Sequence, residues 1–324
     1  MKKLRIYFVI IALGVLMTQC TKEGPMGPAG TDGTDGVDGN VTCLQCHTQT
    51  HMDSVTAQWN TSAHGIGTYV GYAGGRNECA RCHSGAGFIE HLDLGIDTTL
   101  AYPEIPGTNI GCSACHSGHK TFEPQDDALR LPGGSYSIVD TTLMDLGNNG
   151  NACIACHQPR RNWESYWDET AGDYYVNSPY AGPHHGPQSA ILLGIGGTIS
   201  GTAHTHKTAG CTTCHMGNAT AGYTEGGHTF RPNNENCTQC HTVPTDFDYN
   251  GYKTEMETNL ATLEGKLKAA GILDAAGATF PGHYSSVVYK AWWNYEIILN
   301  DGSDGIHNPP YAETLITASI ASLP

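Results

Sequence analysis

Six Cys-x-x-Cys-His units punctuate the chain: Cys43/Cys46/His47, Cys79/Cys82/His83, Cys112/Cys115/His116, Cys153/Cys156/His157, Cys211/Cys214/His215 and Cys237/Cys240/His241. They use 12 of the 13 cysteines, so little thiol chemistry is left for any other purpose. Two thiols separated by two residues can both form thioethers to one edge of a porphyrin, and the adjacent histidine then reaches the iron. Zinc sites would pair Cys-x-x-Cys units in tetrahedral sets and have no use for a histidine after every second cysteine. Disulfides would leave the same histidines unexplained. The sequence therefore predicts six covalently bound haem c groups, with His47, His83, His116, His157, His215 and His241 as proximal iron ligands.

Each iron has a second face. Eleven histidines lie outside the motifs: His51, His64, His91, His119, His184, His185, His204, His206, His228, His283 and His307. Six are needed if every iron takes two imidazoles, so supply exceeds demand. His64 lies 15 residues before the second motif and is read as a ligand to a haem other than the one it precedes. His119, three residues after His116, cannot turn back onto the same iron and suits a neighbouring haem. His184 and His185 sit in a Gly-Pro-His-His-Gly-Pro turn that presents one of them. The preferred distal set is His64, His119, His185, His204, His228 and His307. Iron held by two imidazoles has no vacant position for a substrate, and its potential is set by ligands, burial and nearby charge.

The elements that must hold these groups are short. The apolar residue fraction of 39 % is low for 324 residues. The porphyrins must therefore supply much of the core, wrapped by motif-bearing helices and by loops in which 41 glycines and 16 prolines turn the chain. The fold class predicted is mainly α with extensive loops, haems at the core and a helical C-terminal part over 252–324. There Met256, Leu260, Leu263 and Leu267 recur at helical spacing. A second apolar helix is predicted over 284–299, closed by the turn Asn300–Gly305, and a third starts after Asn308 with Pro309 in its first position. The two aspartates of that turn are read as parts of a helix-joining turn rather than a calcium loop. The aromatic stretch 166–180 is expected to pack on porphyrin edges. Arg160 and Arg161 are open between propionate pairing and a solvated turn.

Residues 1–19 read as an export signal, with Lys2, Lys3 and Arg5 ahead of an apolar run too short to span a bilayer. The thirteenth cysteine, Cys20, follows a loose lipobox and is read as a lipid-anchored N-terminus. The alternative is ordinary cleavage nearby, with Cys20 removed or free. Residues 20–40 contain five Gly-x-y triplets, preferred as a flexible lipidated tether over a collagen-like trimer. The cytochrome domain is then 41–324. Without the leader, 13 basic residues face 31 acidic ones, a formal −18. That charge excludes nucleic acid as a partner and favours basic redox partners.

From residue 153 to 320 the order of elements resembles the pentahaem cytochrome c nitrite reductase superfamily and its electron-carrying surface cytochrome relatives. The matching pieces are His204 seven residues before Cys211, the Cys-x-x-Cys-His-Met run Cys211–Met216, His228 ahead of the last motif, and Gly305-Ile306-His307-Asn308-Pro309 after a long helix. The resemblance covers about half the chain. It implies that His204 serves the sixth haem, His307 the fifth and His228 the third, which leaves His64 for the fourth. The reductases carry Cys-x-x-Cys-Lys at a haem with an open face, whereas every motif here ends in histidine. The tyrosine they place after the motif at Cys153 is also missing, with Pro159, Arg160 and Arg161 in that segment.

The expectation is an exported hexahaem c-type cytochrome that passes electrons between protein partners at the cell surface, as an outer-membrane lipoprotein or a periplasmic or extracellular protein. Polymerisation into a filament is allowed by the spare histidines. The alternative is an oxidoreductase acting on a small nitrogen or sulfur compound at one open haem.

Overall fold

The computed structural model describes residues 43–95, 107–119, 129–131, 133–242 and 246–324. The leader, Cys20 and the Gly-x-y stretch lie outside the described residues. The chain divides after His47 into two units. In the first, the described residues are helix α1, Cys43–His47, which is the first haem motif itself. The first motif falls in the first unit and the other five in the second.

In the second unit the chain enters through α2 (Gln49–Thr61) and α3 (Ala63–Ile66). Ser62 separates them in an extended conformation, and its hydroxyl caps α3 by accepting from the Gly65 amide. Two motifs ride on α4 (Ala80–His83), which leads into α5 (Gly85–Leu94), and on α6 (Cys112–Cys115). A Cβ on Gly87 would lie 2.7 Å from the Ala80 carbonyl oxygen, so this glycine lets α5 close on α4. The fourth motif follows on α7 (Asn151–Ile154). Next come α8 (Gln188–Leu193) and α9 (His206–His215). Gly210 breaks α9 with φ 75°, a left-handed conformation in which a side chain would strike Asn148. The break turns His206 and the motif Cys211–His215 in different directions.

The C-terminal part is the expected three-helix arrangement: α10 (Tyr252–Ala269), α11 (Ser286–Asp301) and α12 (Pro309–Ser322). Met256, Leu260, Leu263 and Leu267 are its buried stripe on α10. They pack with Trp292, Trp293, Ile297, Leu315 and Ile316, each fully buried. Burying an aliphatic side chain of this size stabilises by about 1.5–3 kcal/mol. α11 runs two residues beyond the expected end and takes in Asn300 and Asp301 before Gly302 closes it with φ 70°. Asn308 caps α12, and its amide also donates to the carbonyls of Ile191 and Thr202, 3.0 and 2.9 Å away.

Strands are few and short: β1 (Ser135–Tyr136) pairs with β2 (Leu143–Met144), and β3 (Trp167–Asp168), β4 (Asp173–Val176) and β5 (Gly282–Tyr284) form an antiparallel sheet in that order. This sheet redirects the aromatic stretch. Tyr174 stacks on Tyr289 of α11 at 4.0 Å and 2°, and Tyr166 packs against Trp292 and Trp293. Trp167, Tyr175 and Tyr180 stay exposed. Tyr166 and Tyr174 of the stretch therefore serve the C-terminal core. Among the described residues no helix is long and apolar enough to cross a membrane.

Candidate haem sites

In the second unit each of the five proximal histidines faces one other histidine at a narrow range of distances. Ring centroids are 6.0 Å apart for His83 and His184, 6.5 Å for His116 and His228, and 6.2 Å for His157 and His64. They are 6.3 Å apart for His215 and His307, and 6.1 Å for His241 and His206. One metal between two imidazoles, with bonds of about 2 Å on each side and ring centres about 1 Å behind the nitrogens, places centroids roughly 6 Å apart. The five pairs fit that geometry, so the residues present suit a bis-imidazole iron at each motif from the second to the sixth. No three His, Cys, Asp or Glu side chains converge as a zinc site would require, among the described residues.

The thiols that would carry the thioethers are unequally placed. Cys79, Cys82, Cys115, Cys153, Cys156, Cys211, Cys214 and Cys237 are half-buried, whereas Cys46, Cys112 and Cys240 are exposed. Cys46 sits on α1, which is the whole described part of its unit, so no other described element of that unit covers it. Cys112 opens α6, and only Ala114 of that helix is buried. Cys240 closes the short 3-10 turn Asn234–Gln239, where Asn236 is the buried residue and the chain end faces solvent.

Ring orientation is set from behind. His215 donates Nδ1–H to the Phe230 carbonyl and His206 to the Ile306 carbonyl, both at 2.9 Å. His157 donates to Gln188 Oε1 at 3.2 Å, and His307 to Asp301 Oδ1 at 2.7 Å. A carbonyl or carboxylate can only accept, so each of these imidazoles carries its proton on Nδ1 and leaves Nε2 free to bind a metal. Burial pushes the His64 and His184 pKa values down to about 4, His157 adding to the effect on His64 and Arg160 on His184. Both rings are therefore neutral, as iron coordination requires.

His64, His228 and His307 face the fourth, third and fifth motifs. The ring opposite His83 is His184 and not the expected His185, which is exposed. The ring opposite His241 is His206 and not the expected His204. His204 instead accepts from the His206 backbone N–H at Nδ1, 3.3 Å away, and packs edge-on against that ring at 4.4 Å. Its Nδ1 acts as an acceptor, so its proton sits on Nε2. Nothing in the spacing His204-Thr205-His206 separates the two. His119 is exposed. His51 is exposed at the start of α2, where its amide donates to the capping Thr48 hydroxyl. His283 stacks on Tyr175 and binds Asp173 at 2.8 Å. Arg161 donates to the Tyr166 hydroxyl at 2.9 Å, an internal role not anticipated for it.

The motifs also touch one another. Cys156 Sγ lies 3.7 Å from the carbonyl oxygen of Arg81, inside the second motif, and Cys211 Sγ lies 4.0 Å from the carbonyl oxygen of Gly150, which leads into the fourth. Ala114 and Ala155, inside the third and fourth motifs, lie in one buried cluster with Phe88. The Cys214 carbonyl accepts from the Asn233 amide at 3.2 Å, tying the fifth motif to the turn that starts the sixth. Phe230 packs against both His64 and His228, at 4.8 and 5.8 Å, linking distal rings of the fourth and third sites.

A mainly α chain wrapped around adjoining Cys-x-x-Cys-His motifs, each with a facing imidazole, defines the class: a multihaem c-type cytochrome. Comparison with known proteins agrees. No family model matches the chain. The C-type polyheme cytochrome OmcC of Geobacter sulfurreducens is 24 % identical over an alignment of 354 positions, covering 86 % of this chain and 42 % of that protein. The crystal structure of the outer cell wall cytochrome OcwA superposes with a TM-score of 0.54 at 21 % identity, covering 82 % of this chain and 49 % of that one. The chain thus spans less than half the length of the curated relative and about half of the solved one, and the structural likeness is one of fold.

Proposed function

We propose that the protein is an exported hexahaem cytochrome that carries electrons along contiguous bis-histidine haems and hands them to other redox proteins at the cell exterior. The observation that carries this reading is the repetition of one spacing, 6.0–6.5 Å, across five histidine pairs whose motifs abut. The haems, when bound, supply one-electron redox chemistry. The protein's part is to close both axial faces, fix His157, His206, His215 and His307 by their Nδ1 hydrogen bonds, and hold the attachment points in contact. The second and third motifs both adjoin the fourth, which adjoins the fifth and, through it, the sixth.

Export follows from covalent haem attachment outside the cytoplasm and from the leader-like start of the chain. A lipid on Cys20 and the glycine-rich stretch would tether the cytochrome to a membrane. Filament formation, with one subunit supplying a histidine to another, belongs to the same reading, and His51 and His185 are exposed histidines suited to it.

The test is a carbon monoxide difference spectrum of the dithionite-reduced holoprotein, beside a haem count by pyridine haemochrome. Six haems and no more than one equivalent of carbon monoxide are expected. A single equivalent leaves five bis-histidine haems, the number of paired rings in the second unit. Two or more equivalents would overturn the carrier reading and direct attention to catalysis at an open haem.

A further inference from the structure

Four Nδ1 hydrogen bonds are described behind the paired rings, and one differs in kind. His215, His206 and His157 donate to neutral oxygens, of Phe230, Ile306 and Gln188. His307 donates to the Asp301 carboxylate at 2.7 Å. The Asp301 side chain is fully buried, with 0 % exposure. Its other oxygen is hydrogen-bonded by the Ser303 hydroxyl, and that same hydroxyl accepts from the His307 backbone N–H at 3.3 Å. The Lys253 ammonium of α10 is taken by Asp304 and Glu257, each at 2.8 Å. Asp301 is thus a buried carboxylate whose described partners are an imidazole and a hydroxyl. Burying such a charge is costly unless a positive charge lies close by.

We propose that Asp301 is a positioning residue that holds the haem between His215 and His307 at a lower potential than its neighbours at the fourth and sixth motifs. The proposal rests on the carrier reading above. A carboxylate draws the Nδ1 proton toward itself, gives the ring imidazolate character and raises the basicity of Nε2. A more basic axial ligand stabilises the oxidised iron, and the nearby negative charge adds to this. The neutral acceptors behind His157 and His206 do so far less. Residue 301 also steadies the neighbouring site. Gln188 accepts from His157 and donates through Nε2 to the Asp301 carbonyl at 2.9 Å, so one residue anchors ligands of two haems. The Ile306 carbonyl, beside His307, anchors His206 of a third.

Three variants of the full holoprotein test this, read by spectroelectrochemical titration and by electron paramagnetic resonance of the oxidised low-spin haems. His307→Ala is expected to convert one haem to a carbon monoxide-binding form and to remove one low-spin signal, which identifies the component to follow. Asp301→Asn, which keeps the shape and an acceptor oxygen but not the charge, should shift that component alone to higher potential. Ser303→Ala removes a donor from the same carboxylate and should shift it lower. Should Asp301→Asn fail to fold, judged by its haem count, Ser303→Ala decides. If His307→Ala opens a haem while neither of the other variants moves its potential, the proposal is overturned and the carrier reading stands. If His307→Ala opens none, the ligand assignment fails, and the proposal with it.

Discussion

His184 faces His83 with ring centroids 6.0 Å apart, and it does so from a left-handed backbone, φ 76°. A non-glycine residue held there costs of order 1 kcal/mol and persists only where the surroundings enforce it. Gly182 and Gly186, at φ 130° and 129°, flank the turn, and Arg160 donates its backbone N–H to the Pro183 carbonyl at 2.9 Å. The strain places one ring of the pair inward and its neighbour outward. His184→Ala should therefore raise carbon monoxide binding of the reduced protein by one haem equivalent, whereas His185→Ala should leave it at the wild-type level.

A matching contrast is expected at the sixth motif. His206→Ala should open one haem to carbon monoxide. His204→Ala should not, because His204 presents an acceptor Nδ1 to the backbone and supports the His206 ring edge-on. Its effect should be confined to a small shift in the potential of one haem, seen in a redox titration.

The C-terminal helices should be separable from the haem sites in their energetics. Leu263 is fully buried on α10, in the main apolar cluster. Leu263→Ala should lower unfolding stability by about 2–5 kcal/mol. The haem count and the low-spin absorption spectrum should stay unchanged, and denaturation followed by circular dichroism provides the check.

Glu296 makes stability depend on pH. It is largely buried on α11 beside Asn300 and Thr279, and burial raises its pKa to about 7. Below the ordinary carboxylate pKa the group is protonated in both the folded and unfolded states. As pH rises from about 4.5 to 7 the unfolded chain loses this proton first, so the folded state binds more protons and stability falls. Above about 7 both states are ionised and the loss is complete. Wild-type protein should lose a few kcal/mol across this window relative to Glu296→Gln. Urea denaturation of both proteins at pH 5 and pH 7.5 measures the difference.

Much of the chain was legible because its signals are local. Cys-x-x-Cys-His needs only two intervening residues to set its chemistry, and the stripe Met256, Leu260, Leu263 and Leu267 needs only the helical period. Asn308 and Pro309 mark a helix start for the same reason. How deeply each motif sits is not local: Cys156 is half-buried and Cys240 exposed, though both close the same Cys-x-x-Cys spacing. The pairing of distant rings is different again. His64 and His157 are 93 residues apart in the chain, and His184 and His83 are 101 apart. Their meeting depends on how α3, α4 and the 182–186 turn pack, which no short window encodes. The choice between His184 and His185 rests on one backbone angle, and that between His204 and His206 on which ring finds the Ile306 carbonyl.

Asp301 shows the limit most clearly. By sequence it is one of two aspartates in a glycine-rich turn. In the fold Asp304 turns to Lys253, while Asp301 is sealed behind His307. The sequence by itself determined how many thiol pairs there are, which histidine follows each, and where the C-terminal helices lie, because covalent spacing and helical periodicity act over a few residues. Only the tertiary structure decided which imidazole meets which and which carboxylate stands behind it. Those contacts are made between residues that solvent-driven packing, not chain proximity, brings together.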